Sequence, residues 1–199
     1  MTVQLDMLTR REAIQRVCAL LGGTALVGQS AMLAGCVSSA VRPAGSAFTS
    51  DEVALLDEIA DTILPETSTP GAKAAGVGPF IALMVADTYD ERDRQVFKDG
   101  MRTLDEECSR MHGQPFMAST PAQRLALLEQ LDVEQMEHMR TRAPGTPAHY
   151  FRMMKELSLL GYFTSEIGCT QALRYIEAPG RFDPCVPYAP GEKAWAGHA

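Results

Sequence analysis

The sequence contains none of the short motifs by which cofactor-binding and redox domains are usually recognised. No glycine fingerprint follows an apolar strand, as a flavin or nicotinamide fold requires, and no Cys-x-x-Cys or haem-attachment motif is present. The four histidines are scattered, with no His-x-x-x-His pair and no repeated Glu-x-x-His pair. These motifs therefore give no indication of a cofactor, metal or catalytic group in this chain.

Basic charge and strand-like patterning are also scarce. The formal net charge is -7, and the chain after residue 36 carries 15 Lys and Arg against 23 Asp and Glu. A nucleic-acid partner requires a basic face, so that class of partner is excluded. No stretch alternates apolar and polar residues for long enough to indicate a strand.

Helical spacing and helix-start signals recur through the body of the chain. Thr49 with Glu52 and Thr120 with Gln123 form two capping boxes, each followed by apolar residues at helical spacing. We therefore predict an all-α fold, a bundle of about five helices spanning residues 49–178. The last helix is expected to open at Thr146-Pro147.

One glycine near the end of this body and one cysteine in its middle carry further expectations. Gly161 lies within the last helical pattern and is expected to interrupt it, with helix resuming over Thr170–Tyr175. Cys108 falls within an apolar stripe and is expected to be a small buried side chain.

Residues 1–36 have the layout of a twin-arginine signal peptide. Arg10 and Arg11 precede a weakly apolar run from Val17 to Gly35, which glycines and polar residues dilute too much for a membrane span. This signal peptide predicts export to the periplasm by a route that carries folded proteins, typically with a cofactor inserted. The chain is then expected either to hold a cofactor or to carry a partner that does.

Two processing sites for this segment remain open. Leu33-Ala34-Gly35-Cys36 resembles the lipobox of bacterial lipoproteins, in which Cys36 would be lipidated and would tether the domain to a membrane surface. The alternative is cleavage after Ala40, where small residues occupy the required positions. Residues 37–48 are interpreted as a linker.

The C-terminal segment combines aromatic residues with helix-breaking prolines. The chain has 13 Phe, Tyr and Trp residues, and eight of them lie between Tyr150 and Trp195. We predict an irregular aromatic- and Pro-rich arm over residues 179–199, which either wraps the helical domain and completes its core or presents its rings to a partner. The prolines that exclude regular structure there are Pro179, Pro184, Pro187 and Pro190.

Three cysteines remain once the signal segment is set aside, Cys108, Cys169 and Cys185. A Cys169–Cys185 disulfide would close a loop of about 17 residues and add on the order of 3 kcal/mol of stability. The odd number equally permits one thiol, with Cys185 the better candidate, to bond to a partner chain.

Two long motifs carry a resemblance to a known family. The first, ADTILPET followed by TPGAKAAGV, spans residues 60–77, and the second begins with GYFTSEIG at residue 161. The second motif continues with RY at 174, PGRF at 179 and CVP at 185. From about Phe48 to Trp195 the chain resembles the gluconate 2-dehydrogenase subunit 3 family.

The resemblance implies a non-catalytic small subunit of a membrane-associated dehydrogenase that oxidises sugars or sugar acids. The catalytic subunit of such a complex is an FAD flavoprotein of the glucose-methanol-choline type, and a multihaem cytochrome c often accepts its electrons. The small subunit binds no cofactor and escorts the flavoprotein, which has no signal of its own, through twin-arginine export. Membrane association would come from a lipid anchor or from the partners.

In this interpretation the helical body is a platform and the arm packs onto the flavoprotein. An alternative is a stand-alone periplasmic enzyme or lipoprotein of unknown activity, using carboxylates such as Glu166 and Glu177. The residues predicted to contact the partner are Tyr162, Phe163, Arg174, Tyr175, Arg181, Phe182 and Tyr188.

Overall fold

The computed structural model describes residues 48–178, 180 and 185–196. Five α-helices cross these residues, with a short 3-10 turn after the third and a π-helix after the fifth, and no strand forms in the described part. The predicted all-α bundle of about five helices is therefore confirmed. The elements are α1 (Ser50–Ile63), α2 (Val77–Thr88), α3 (Glu91–His112), the turn Phe116–Ala118, α4 (Pro121–Thr141), α5 (Tyr150–Thr164) and the π-helix Gly168–Ala172.

Both predicted capping boxes form, which explains where α1 and α4 begin. The amide of Glu52 donates to the Thr49 hydroxyl at 3.2 Å, and the Glu52 carboxylate accepts from the Thr49 amide at 2.7 Å. Thr120 and Gln123 make the same reciprocal pair at the start of α4. Each pair satisfies amides that a helix start would otherwise leave without partners.

Helix α5 is the centre of the bundle, because it packs against each of the other four helices. Its buried residues alternate with exposed ones at helical spacing and include two methionines that fill the space between neighbours. The buried residues of α5 are Phe151, Met153, Met154, Leu157, Ser158, Gly161 and Tyr162.

The prediction that Gly161 interrupts the last helix was wrong. Gly161 lies inside α5, where a Cβ atom would come within 2.6 Å of Cδ1 of Phe80 on α2. The residue therefore permits two helices to approach closely, and this tertiary requirement outweighs its weak helix propensity. The resumed helix is also displaced, since a π-helix over Gly168–Ala172 takes the place of the helix predicted over Thr170–Tyr175.

Candidate partner-binding site

The two sequence motifs, which are separated by more than 80 residues of chain, meet at the C-terminal end of α5. The hydroxyl of Tyr162, in the second motif, donates to the carbonyl oxygen of Pro70, in the first, at 2.7 Å. The side chain of Tyr162 is buried in the core. The two motifs therefore form one structural junction between the loop after α1 and the end of α5.

Carboxylates on α1 hold the loop of the first motif in place. Asp57 accepts the Gly78 amide at 2.8 Å, and Asp61 accepts the Lys73 amide at 3.1 Å. Burial raises the pKa of Asp57, an effect that the Gly78 hydrogen bond opposes. Backbone amides near the start of α2 are thus satisfied by side chains of α1, which fixes the path of the loop.

Glu58 and Arg124 form the central ion pair of this region. Arg124 Nη1 contacts Glu58 Oε1, and the side chains of Arg124 and Glu58 are only 13% and 18% exposed. Arg124 also donates to the carbonyl oxygens of Phe116 and Met117, each at 2.9 Å. Arg124 thereby ties α4 both to α1 and to the turn before it.

Lys73 completes the network from the solvent side. Its Nζ lies 2.8 Å from Glu58 Oε2. The hydrogen bond from Lys73, with a further contribution from the Arg124 charge, holds the pKa of Glu58 below its usual value. Sequence reasoning missed this network, because Glu58 and Arg124 are 66 positions apart and neither stands in a recognisable chemical motif.

The TSEIG part of the second motif closes α5. The Ser165 hydroxyl donates to the carbonyl oxygen of Tyr162 at 2.7 Å and accepts the Gly168 amide at 3.0 Å. A Cβ atom at Gly168 would lie 1.8 Å from the carbonyl oxygen of Tyr162. The motif therefore encodes a tight exit from α5 that only glycine at this position permits.

Two residues predicted to contact a partner make contacts within this chain. Tyr162 is buried and bonded to Pro70, so it offers little surface for a partner, and that prediction is corrected. The guanidinium of Arg174 lies 4.4 Å from the centre of the Trp195 ring and 3.5 Å from Glu192. Its side chain is 32% exposed, so a contact between Arg174 and a partner stays a prediction.

The end of the arm is joined to the body through the backbone of Arg174. The amide of Arg174 donates to the carbonyl oxygen of Ala194, and the amide of Ala196 donates to that of Arg174, both at 2.8 Å. An isolated parallel β-bridge pairs Arg174 with Trp195, and Ala196 is buried. For these last residues the arm wraps its own domain, which was the first of the two interpretations.

Other aromatic residues of the C-terminal segment remain exposed. Phe163, Tyr175 and Tyr188 all present large rings to solvent. Phe163 makes an edge contact with the ring of Tyr162 at 5.2 Å between centroids. Arg181 and Phe182, as well as the predicted export residues Arg10 and Arg11 and the lipidation candidate Cys36, lie outside the described residues.

The predicted Cys169–Cys185 disulfide is not formed in the structure. The Cys169 thiol donates to the carbonyl oxygen of Phe163 at 3.2 Å, and Cys185 is exposed on the arm. Cys108 is buried, as its position in the apolar stripe predicted, and its Sγ lies 3.2 Å from the Ser119 hydroxyl.

A histidine pair lies where α4 and α5 come together. The rings of His138 and His149 are 5.5 Å apart, and His149 Nδ1 accepts the Phe151 amide at 3.3 Å as the N-cap of α5. Burial, and then the nearby His138, lower the pKa of His149 against an opposing effect of Glu107. The lowered pKa favours the neutral ring that this cap requires, since a protonated Nδ1 cannot accept a hydrogen bond.

The alternative interpretation as an enzyme relied on the carboxylates of Glu166 and Glu177. Both residues are exposed on the surface. Among the residues that the structure describes, no group of three or more His, Cys, Asp and Glu side chains is arranged to hold a metal ion. Within the same residues, no helix combines the length and the apolar character needed to cross a membrane.

The sequence of this chain matches a known protein family. A family model described as gluconate 2-dehydrogenase subunit 3 matches residues 50–180, about two thirds of the chain. The matched range begins with α1 and includes the first motif, the tight exit from α5 and the second motif up to Gly180. No curated protein and no solved structure matches the chain.

Proposed function

This chain belongs to the gluconate 2-dehydrogenase subunit 3 family, and from that membership we propose that it is a non-catalytic subunit which escorts and stabilises a catalytic partner. The partner is an FAD-dependent sugar or sugar-acid dehydrogenase of the glucose-methanol-choline type, and a multihaem cytochrome c accepts its electrons in some complexes. The family name itself places the chain among the accessory subunits of a dehydrogenase complex.

The observation that carries the proposed contact is a concentration of exposed apolar side chains near the C-terminus. Large apolar residues exposed in such number are typical of a surface that a partner covers, and aromatic rings provide anchors there at low entropic cost. The exposed residues are Leu159, Leu160, Phe163, Tyr175, Ile176, Val186 and Tyr188.

Export is the second part of the proposal. Arg10 and Arg11 form the twin-arginine address, and the flavoprotein, loaded with FAD in the cytoplasm, crosses bound to this chain. In the periplasm the complex is held at the membrane through a lipid on Cys36 or through its partners. Cys185, which is exposed on the arm, is the cysteine that we propose bonds to the partner chain.

The export proposal predicts that the two subunits are exported together or not at all. Changing Arg10 and Arg11 to lysine is expected to retain both this chain and the flavoprotein in the cytoplasm, because the receptor reads the arginine pair. Activity and both polypeptides would be measured in periplasmic and cytoplasmic fractions, with the unaltered chain as control. An active flavoprotein in the periplasm of the doubly substituted strain would refute the escort role.

The contact proposal predicts that exposed rings carry binding energy. Replacing Tyr175 and Tyr188 with serine is expected to weaken the complex by about 2 kcal/mol or more per anchor, without changing the thermal unfolding of the isolated chain. Co-purification with the flavoprotein and a dissociation constant for the purified pair measure the effect. Met117→Ser is the control, since Met117 is exposed on the turn before α4.

Point substitutions are preferable to removal of the arm from Pro179. Such a deletion would also remove the Trp195 ring and the backbone bonds from Arg174, and so would uncover the end of the body. If the serine substitutions leave the affinity unchanged, the aromatic rings are not the contact.

A further inference from the structure

Helix α4 has apolar side chains on two sides. One side buries Leu127, Leu128 and Leu131 in the core. On the outer side Val133 and Met136 are 70% and 61% exposed.

Leu125, a third exposed residue, shares this outer side. At 100° per residue, Leu125, Val133 and Met136 fall within about 80° of one another around the helix, and we call them the α4 stripe. Large apolar side chains exposed together on the outer side of a helix mark a surface that another chain can cover.

A groove between α1 and α4 includes Leu125, one residue of this stripe, in its lining. Two adjoining depressions, of about 460 and 230 Å³, share Thr62, Ile63 and Leu125 as lining residues. The second depression extends the groove to Phe151 and Lys155 of α5. The groove is therefore continuous, with the apolar side chains of α1, α4 and α5 in its lining.

The charge along the groove is negative. Its lining carries four carboxylates and two cations, and both cations are already engaged, Arg124 with Glu58 and Lys155 with Asp132. Glu129 makes no ion pair within the described part of the chain. The four carboxylates are those of Glu58, Asp61, Glu129 and Asp132.

We propose that the groove and the α4 stripe bind an apolar segment bearing Lys or Arg side chains, contributed by the dehydrogenase subunit that the proposed function assigns to this chain. The apolar side chains of the segment would cover Leu125, Val133 and Met136, and its cations would face Glu129 and Asp61. Opposite charges that face each other at the edge of the groove fix the register of such a contact and increase the rate of association.

A second copy of this chain fits the surface less well. Symmetric dimers place the same patch of each copy against the other, so the acidic edge that contains Glu129 would face its own duplicate. Like charges brought together in this way oppose association. The surface also uses residues different from the exposed C-terminal rings, so it adds a contact to that interface.

The test uses the full chain co-expressed with its dehydrogenase subunit, and the dissociation constant of the purified pair. Met136→Asp is expected to weaken binding at least about tenfold, because it places a charge in the apolar contact. Met111→Asp is the matched control. It makes the same replacement at an exposed methionine of α3, which lines neither depression, and should leave the constant within about twofold.

Charge reversal tests the basic character of the segment. Glu129→Lys is expected to weaken binding about tenfold and to reduce the dependence of the constant on salt, because it removes an attraction across the rim. Glu134→Lys makes the same change on the far side of α4, about 140° from Glu129, and should leave both quantities unchanged. Thermal unfolding of each variant verifies that the fold is retained.

The outcomes separate this proposal from the proposed function. If no dehydrogenase subunit accompanies the unaltered chain, the proposed function fails and this proposal with it. If the subunit binds Met136→Asp and Glu129→Lys as tightly as the unaltered chain, only the groove proposal is overturned. If the isolated chain is a dimer that Met136→Asp separates while partner binding persists, a second copy is the occupant and the proposal is equally overturned.

Discussion

Replacing Gly168 with alanine is expected to lower the free energy of unfolding by about 3 kcal/mol, toward the upper end of the usual range for overpacking. The added Cβ would lie 1.8 Å from the carbonyl oxygen of Tyr162 and 2.7 Å from its carbonyl carbon. These are backbone atoms in the last turn of α5, so they cannot rotate away. The exit from α5 must therefore open, and the hydrogen bond between Ser165 and the Gly168 amide would be lost.

Thermal and urea unfolding measure this effect. For a domain of this size a loss of about 3 kcal/mol corresponds to a fall in Tm of roughly 6 to 12 °C. Gly161→Ala is the matched comparison, since it adds the same methyl group within α5, 2.6 Å from Cδ1 of the Phe80 ring. A ring can turn, so the loss there is expected to be smaller, and Phe80→Leu should recover part of it.

No substitution of the Tyr162 side chain is expected to rescue Gly168→Ala, because the obstruction is main chain. Equal losses of unfolding free energy in Gly161→Ala and Gly168→Ala would contradict this prediction. They would mean that the backbone after α5 rearranges to accommodate the added methyl group. The change at Gly168 should also weaken the complex with the flavoprotein, since the chain from Gly168 leads directly to the exposed ring of Tyr175.

Features set by neighbours in the sequence could be predicted. Both capping boxes join residues three positions apart, so Thr49 with Glu52 and Thr120 with Gln123 were enough to locate two helix starts. The break after α3 was equally local, because Gly113 adopts the left-handed conformation that commonly ends helices. The helix count follows from such signals.

Features set by distant neighbours could not be predicted. Gly161 looked like a helix breaker because its neighbour Phe80 is 81 positions away, and Tyr162 looked like a surface ring because Pro70 is 92 positions away. The C-terminal arm was predicted as irregular, with two roles left open. In the structure the Trp195 ring packs against Arg174 of the same domain, whereas the Tyr188 ring is exposed. The two residues of the arm therefore correspond to the two different roles.

The family motifs take on a physical meaning from the same contacts. Asp57, Asp61 and Glu58 hold the loop of the first motif, and Tyr162 joins that loop to the second motif. The described contacts of these motif residues are structural. We therefore expect substitutions in the motifs to act first on stability and only through it on partner binding.

Arg124→Met is expected to have the largest effect of any side-chain substitution in this network, about 3 to 5 kcal/mol of unfolding free energy. It would leave the largely buried Glu58 carboxylate with only Lys73 as a partner and would release the carbonyl oxygens of Phe116 and Met117. Lys73→Ala is the control at the same carboxylate. The Lys73 side chain is 57% exposed, so its loss should remove about 1 kcal/mol or less.

Two further measurements identify the charge of Glu58 as the cause. The double variant Arg124→Met with Glu58→Met should regain much of the stability that Arg124→Met loses, because no buried charge then lacks its partner. The second measurement is the dependence of unfolding on pH. The pKa of Glu58 is lowered in the folded chain from a usual value of 4.5, so below that value the unfolded chain binds more protons than the folded one.

The stability that Glu58 contributes is therefore complete above about pH 4.5 and is lost as the pH falls through the lowered pKa of the folded state. Asp132, whose pKa Lys155 lowers, adds a similar acid-sensitive contribution that Arg124→Met leaves intact. Unfolding free energies from pH 7 down to pH 3 should thus fall less steeply in Arg124→Met than in the unaltered chain. Parallel curves would mean that Arg124 stabilises the fold through its bonds to Phe116 and Met117 alone.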